Sequence, residues 1–324
     1  MASASSLHPP RTSDAASWAM LSGLAVSLLL VQLRAPLAIE PAGLLKLVVA
    51  SITLAGAAIF YSRYRPRPAF AAMCVGLIQV LLFSALAALL SYALAREGGA
   101  LWDSRLAGWD KALGFDWLAY VRWVDSKAWL AATYRAAYAS LIPQVIVIVL
   151  VLGFTGRVAL MRAVLLAAMI SGTAIVMLSS LFPAVSNFVH LGLSAADFDH
   201  VDPFAGYSHL SHYQALRSGM PLTIRLPEMQ GIITFPSYHA GLATVTFWGF
   251  WRSGLLPMRA VGCTTAALTI LATPVDGGHY LVDVLAGCAI GFLSIAIAER
   301  AVRWAPALSL TASPFRRSRA ASVR

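Results

Sequence analysis

Eight runs of apolar residues, at roughly 17–33, 43–61, 70–94, 136–153, 161–182, 237–251, 258–275 and 280–298, divide most of the chain. Each run is continuously apolar, so the alternating signature of a membrane barrel strand is missing. Most approach the ~20 residues that a helix needs to cross a bilayer. The run 237–251 is short and reaches that length only by extension at either end. The pattern predicts an all-α integral membrane protein of about eight transmembrane helices. Two long polar stretches, 95–135 and 183–236, interrupt it. The first carries five of the nine tryptophans, at 102, 109, 117, 123 and 129, with Asp, Arg and Lys between them. Tryptophan rings favour headgroup depth, so 95–135 reads as an interfacial loop, broken into short helices at Gly108 and Gly114. A structural collar and a lipid-guiding surface both fit that reading.

Composition agrees with a membrane chain. Of 324 residues 59% are hydrophobic and 12% charged, with mean hydropathy +0.74. Soluble domains carry about 25% charged residues. The net charge of +10 sits in short connections and the C-terminal tail. That distribution points to cytoplasmic retention of loops and implies no nucleic-acid partner. Cys74, Cys263 and Cys288 lie singly within apolar runs and read as small core residues. The organisation expected is a cytoplasmic leader over 1–16, a polytopic membrane catalytic domain over 17–302, and a basic, unstructured cytoplasmic tail over 303–324.

Orientation follows from the arginines. They lie at 63, 65 and 67, at 157 and 162, at 252 and 259, and from 300 through 324. Eight crossings taken in order put all four groups on one side, which the positive-inside rule makes cytoplasmic. The loops 95–135 and 183–236 and the turn at 276–279 then face the other compartment.

Two polar motifs open apolar runs on that outer side. In "DGGHYLVDVLAG" (276–287), His279 and Asp283 are four residues apart, one helical turn. A carboxylate there can hold one imidazole nitrogen and leave the other free as a nucleophile. In "FPSYHAGLA" (235–243), Pro236 suits a first helical turn and Ser237 a cap, and the free N–H groups of a helix start attract anions. His239 follows directly. Two helix starts on one side, each with a histidine, suggest a phosphate held between them. Ionisable groups at membrane depth are functional by default.

"FPSYHAGLA" resembles the PSxH motif of the type 2 phosphatidic acid phosphatase (PAP2) superfamily, and "GGHYLVDVLAG" its later HxxxD motif. The likeness spans mainly residues 205–291 and is nearest to the branch of inositol phosphorylceramide synthases. It implies a PAP2-like catalytic helix bundle and phosphoryl transfer with no metal or cofactor. His279 is then the nucleophile that forms a phosphohistidine, Asp283 its orienting carboxylate, and His239 the acid and then the base. Ser237 and nearby backbone N–H groups hold phosphate oxygens. The implied partners are membrane lipids and a lipid phosphate or phospholipid substrate. The active site is expected to face the periplasm of a bacterial inner membrane.

The chain departs from the superfamily in its cations. No KxxxxxxRP motif precedes these two, and Thr273 stands where an arginine is usual, six residues before the nucleophile. Arg217 is the first substitute for binding phosphate, with Arg225, Arg135 and Lys127 behind it; Tyr138 and Gln144 are placed in the same pocket. Asp197, Asp199, His200, Asp202, His209 and His212 form a competing candidate for a metal site. A lipid-phosphate phosphatase, a synthase-like transferase of phospho-headgroups and a non-catalytic lipid-binding or transport protein remain distinct readings.

Overall fold

A computed structural model describes residues 14–97 and 99–304. Most of the expected leader and tail falls outside these residues. The chain starts with α1 (Ala15–Arg34), α2 (Pro41–Ile59, extended by a π-helical turn, Phe60–Tyr64) and α3 (Pro68–Ala95). Pro41 and Pro68 begin their helices, where a missing N–H costs nothing. The interfacial stretch folds as α4 (Asp103–Ala112) and α5 (Trp117–Asp125), with Gly114 in the turn between them at φ +75°. Gly108 lies inside α4 and breaks nothing.

Next come α6 (Ala128–Ala139), α7 (Leu141–Phe154) and α8 (Val158–Leu181). A bend of 54° separates α6 from α7. Pro143 has no N–H to offer the Ala139 carbonyl, so the helix cannot run straight through. The stretch 183–236 holds three short α-helices, α9 (Asn187–Leu191), α10 (Phe204–Tyr207) and α11 (Leu210–Ser218). The chain ends in α12 (Tyr238–Arg252), α13 (Cys263–Asp276) and α14 (Leu281–Trp304).

Among the described residues, six helices are long and apolar enough to cross a membrane, and seven spans result if the bent α6–α7 pair counts as one. The expected span at 237–251 is α12, which has 15 residues and does not reach that length. At ~1.5 Å per residue it covers about 22 Å, short of the ~30 Å hydrocarbon core. Protein packs around it instead: α8, α13 and α14 all lie against α12. Gly287 and Gly291 on α14 let the α12 backbone come close, since a Cβ at Gly287 would run into the Ser237 carbonyl. By contrast α2 buries only Gly43 and turns Leu45, Val48, Val49 and Ile52 outward. An outward apolar face of this size is a liability in water and ordinary in lipid.

The arginine-bearing connections gather at one end of the bundle. Arg162 pairs with Asp14 at 2.8 Å, which joins the starts of α8 and α1. The Arg157 guanidinium lies against Gly254, and Arg252 approaches Glu299 at 3.7 Å. Tyr61 meets Phe70, which meets Phe154, so the α2–α3 turn belongs to the same end. The helices α4, α5 and α9 sit at the other end, against the turn between α13 and α14.

Candidate active site

The last turn of α13 ends at Asp276, and Gly277 and Gly278 carry the chain to His279. Gly278 has φ +64°, a conformation that L side chains rarely adopt. Gly277 leaves no room for a side chain. A Cβ there would lie 2.6 Å from His279 Cδ2 and 2.7 Å from the Tyr138 hydroxyl. The His279 ring and Tyr138 therefore close in on the same glycine from two elements.

His279 Nδ1 lies 3.3 Å from Asp283 Oδ2, and both side chains are almost wholly buried. Asp283 Oδ2 also accepts the Tyr280 N–H at 2.9 Å. The pairing is the expected one, but its setting differs from a single helix face. Helix α14 begins at Leu281, so His279 belongs to the preceding turn and Asp283 to the first turn of the helix. In that turn, burial lowers the His279 pKa to about 4, with the Thr234 backbone opposing weakly. The ring is neutral at physiological pH.

Three elements at this end of the bundle clamp the turn. Trp117 Nε1 donates to the carbonyls of His279 (3.0 Å) and Pro274 (3.1 Å). The Asn187 N–H donates to the Gly278 carbonyl at 2.8 Å. Asp110 accepts the N–H groups of Leu281 (2.8 Å) and Val282 (2.9 Å), capping α14 from another helix. Asp103 accepts the Tyr280 hydroxyl at 3.0 Å and the Val185 N–H at 3.1 Å. Burial pushes the pKa of both aspartates up, and these hydrogen bonds pull it back. The tryptophan-rich stretch thus holds the His279 turn in place, a contact that the sequence reading of it did not include. Sequence patterning missed Asp103, Asp110 and Trp117 because their partners are over 150 residues away for most of these contacts.

The first motif is pinned to the second. The Ser237 N–H donates to the Asp283 carbonyl at 3.0 Å, and Ser237 Oγ caps α12 by accepting the Ala240 N–H at 3.4 Å. The Phe235–Pro236 peptide before it is cis. One residue into α12, His239 lies flat against Tyr138, with ring centroids 4.0 Å apart and planes 10° apart. The Tyr138 hydroxyl is 3.2 Å from His239 Nδ1. Both histidines, Asp283, Ser237 and Tyr138 come together at the end of the bundle opposite the arginines.

Residues 104–297, more than half of the chain, match the PAP2 superfamily, and the chain belongs to that superfamily. Comparison with characterised proteins and with solved structures returned no match. The matched region begins one residue into α4, so it includes Asp110 and Trp117 of the clamp and leaves out Asp103 and α1–α3. Membership supports a membrane enzyme of the phosphatase or phosphotransferase type acting on lipid phosphates.

Other expected site residues lie elsewhere. Gln144 bonds Ser140, Thr269 and Thr246, a buried polar knot tying α7 to α12 and α13. Arg217 donates to the Gly99 carbonyl at 2.6 Å and sits over the Tyr213 ring, and these bonds do not reach the histidines. Arg225 engages Glu40 and Glu228, and Lys127 engages Trp123 and Ser126. Arg135 donates to the His200 carbonyl at 2.9 Å and lies on α6, one turn before Tyr138. Thr273 is buried and donates to the Thr269 carbonyl in its own helix.

The acidic and histidine cluster comes apart. Asp197 caps at Ser194 and Asp202 caps Phe204. The backbone N–H groups of Asp199 and His200 bond Asp125, His209 bonds the Val185 carbonyl, and His212 bonds Tyr92. Among the described residues, no three His, Cys, Asp or Glu side chains are grouped so as to hold a metal ion.

Proposed function

We propose that this protein removes or transfers the phosphoryl group of a membrane lipid phosphate through a phosphohistidine on His279. The observation that carries the proposal is the meeting of a buried pair, His279–Asp283, and a half-buried pair, His239–Tyr138, around the side-chain-free Gly277. A free nitrogen of neutral His279 attacks phosphorus. The N–P bond forms as the ester P–O bond breaks, and His239 gives its proton to the departing oxygen. Asp283 stabilises the charge left on the His279 ring. In the second half His239 takes a proton from water or an alcohol, which attacks phosphorus and breaks the N–P bond. Water yields free phosphate, and an alcohol yields a new ester, as in the synthase-like alternative. Ser237 and the start of α12 supply donors to the phosphate oxygens. Arg135 supports the anion better than Arg217, because its helix already contributes Tyr138 to the site.

Eight crossings, with α12 as a short one buried in protein and both termini cytoplasmic, fit the arginines at one end. The site then opens to the periplasmic side of a bacterial inner membrane. A purified sample given radiolabelled phosphatidate should form an acid-labile phosphoenzyme. His279→Ala should abolish it, with a loss of ~10³-fold or more in turnover. His239→Ala should slow its formation and breakdown. Activity should persist in excess EDTA, since two histidines supply nucleophile and acid. A phosphoenzyme retained in His279→Ala would rule out the mechanism.

A further inference from the structure

Beside the site lies a groove that the chemistry above does not use. A cavity of about 230 Å³ opens between α3, α7 and α8 under the loop 229–233. A second cavity, of about 30 Å³, continues it toward Leu242. The two share four lining residues, Phe83, Ser84, Ile142 and Tyr238, so they adjoin, and together they make up the channel. Ser84 and Ile142 are exposed, which leaves the channel open on its outer side. Helices α3 and α8 are both candidate membrane spans, so that opening faces bilayer hydrocarbon.

The cavities are walled by sequence neighbours of the site residues. Tyr238 immediately precedes His239, and Ile142 follows Tyr138 by one turn across the α6–α7 bend. The two rings that stack in the site are thus each neighboured by a wall of the groove. Enclosing a whole small molecule takes ~300–1,000 Å³. A smaller, elongated, largely apolar space suits a stretch of linear hydrocarbon.

We infer that this groove seats an acyl chain of the lipid-phosphate substrate and so selects long-chain over short-chain esters. The inference rests on the phosphoryl-transfer reading of the site. It extends that reading by naming where the substrate's apolar part lies and which side of the bundle it enters from.

Two arms test it. The first measures turnover of dioleoyl phosphatidate and of water-soluble propyl phosphate in detergent, for the wild type and for Ser84→Trp. Ser84 faces outward, so the added ring narrows the groove without entering the core. The ratio of kcat/KM for the long to the short ester should fall about tenfold, the scale of one or two lost methylene contacts. Ala88→Phe, on the same wall, should act in the same direction. An unchanged ratio in both variants overturns the inference.

The second arm needs no turnover. A phosphatidate bearing a diazirine near the end of one chain is photolysed with the wild type. Adducts should fall on the peptides holding residues 83–88 and 142. Excess unlabelled dioleoyl phosphatidate should displace them, and dioleoylglycerol should not. Adducts spread over the outward face of α2, or insensitive to that competitor, also overturn the groove. Absence of turnover and phosphoenzyme with either ester would count against the catalytic reading instead, and the photoadducts would still decide the groove.

Discussion

Tyr138 lies parallel to His239, its ring 4.0 Å away and its hydroxyl 3.2 Å from Nδ1. His279 has a carboxylate to fix its ring, and Tyr138 gives His239 a fixed partner as well. The phenol comes from α6, 101 residues earlier, and reaches the site because the chain bends before α7. Orientation of a proton-transferring ring is worth what its lost hydrogen bond is worth, ~0.5–1.5 kcal/mol, or up to about tenfold in rate. Tyr138→Phe keeps the stacked ring and removes the hydroxyl. It should lower kcat several-fold to tenfold and leave KM near its original value. In a His239→Ala background the same change should cost nothing more, since the two act as a unit. Additive losses in the double variant would refute an orienting role.

A second expectation concerns Asp110, which caps α14 from α4. Removing its carboxylate leaves the Leu281 and Val282 N–H groups without their acceptors, and each buried orphan costs ~1–3 kcal/mol. Asp110→Ala should lower the thermal midpoint in detergent and the yield of phosphoenzyme together. Asp110→Asn keeps one acceptor oxygen and should fall between the two. A variant with full phosphoenzyme and lowered stability would mean that the clamp serves folding alone.

The buried His279 ring makes a third prediction, for stability against pH. Its folded pKa is lowered to about 4, while an unfolded histidine titrates near ~6.5. Between these values the unfolded chain binds the extra proton, so its contribution is whole above about 6.5 and is lost as pH falls toward 4. The full span is worth ~3 kcal/mol, at 1.36 kcal/mol per pKa unit. Melting in detergent at pH 7.5 and pH 5.0 should show a larger loss for the wild type than for His279→Asn, which has no proton to gain. Parallel losses would show that the ring does not govern this acid sensitivity.

How much of this could be read from residues alone divides along sequence distance. The apolar runs were legible because a membrane helix must be continuously apolar, and the His279–Asp283 pair because it is local. The bend at Ser140 could have been anticipated from Pro143, since a proline removes a helix bond whatever surrounds it. Gln144 misled because a glutamine near a site and one tying three helices together look alike in sequence. The Arg217 contact was hidden for a similar reason, as nothing local reveals that Gly99 takes its hydrogen bond. The clamp by Asp103, Asp110 and Trp117 was hidden inside a stretch whose tryptophans already had a sufficient explanation at the interface.

The last prediction is sidedness. The turns around Tyr61, Arg157 and Gly254 meet at one end of the bundle, and the two histidines lie at the other. The fold fixes the two ends relative to each other, and the positive-inside rule assigns the arginine end to the cytoplasm. A chain lacking Cys74, Cys263 and Cys288 can carry single cysteines at Ser218, exposed at the end of α11, and at Ser62, exposed in the arginine-rich turn. In spheroplasts an impermeant thiol reagent should label position 218 at once. Position 62 should react only after the membrane is opened. Phosphatidate supplied to the outer leaflet should then be turned over by intact spheroplasts, because its headgroup meets His239 and His279 from that side. Labelling of 62 but not 218 would place the chemistry in the cytoplasm. Labelling of both before lysis would mean that the two ends of the bundle are not separated by a bilayer.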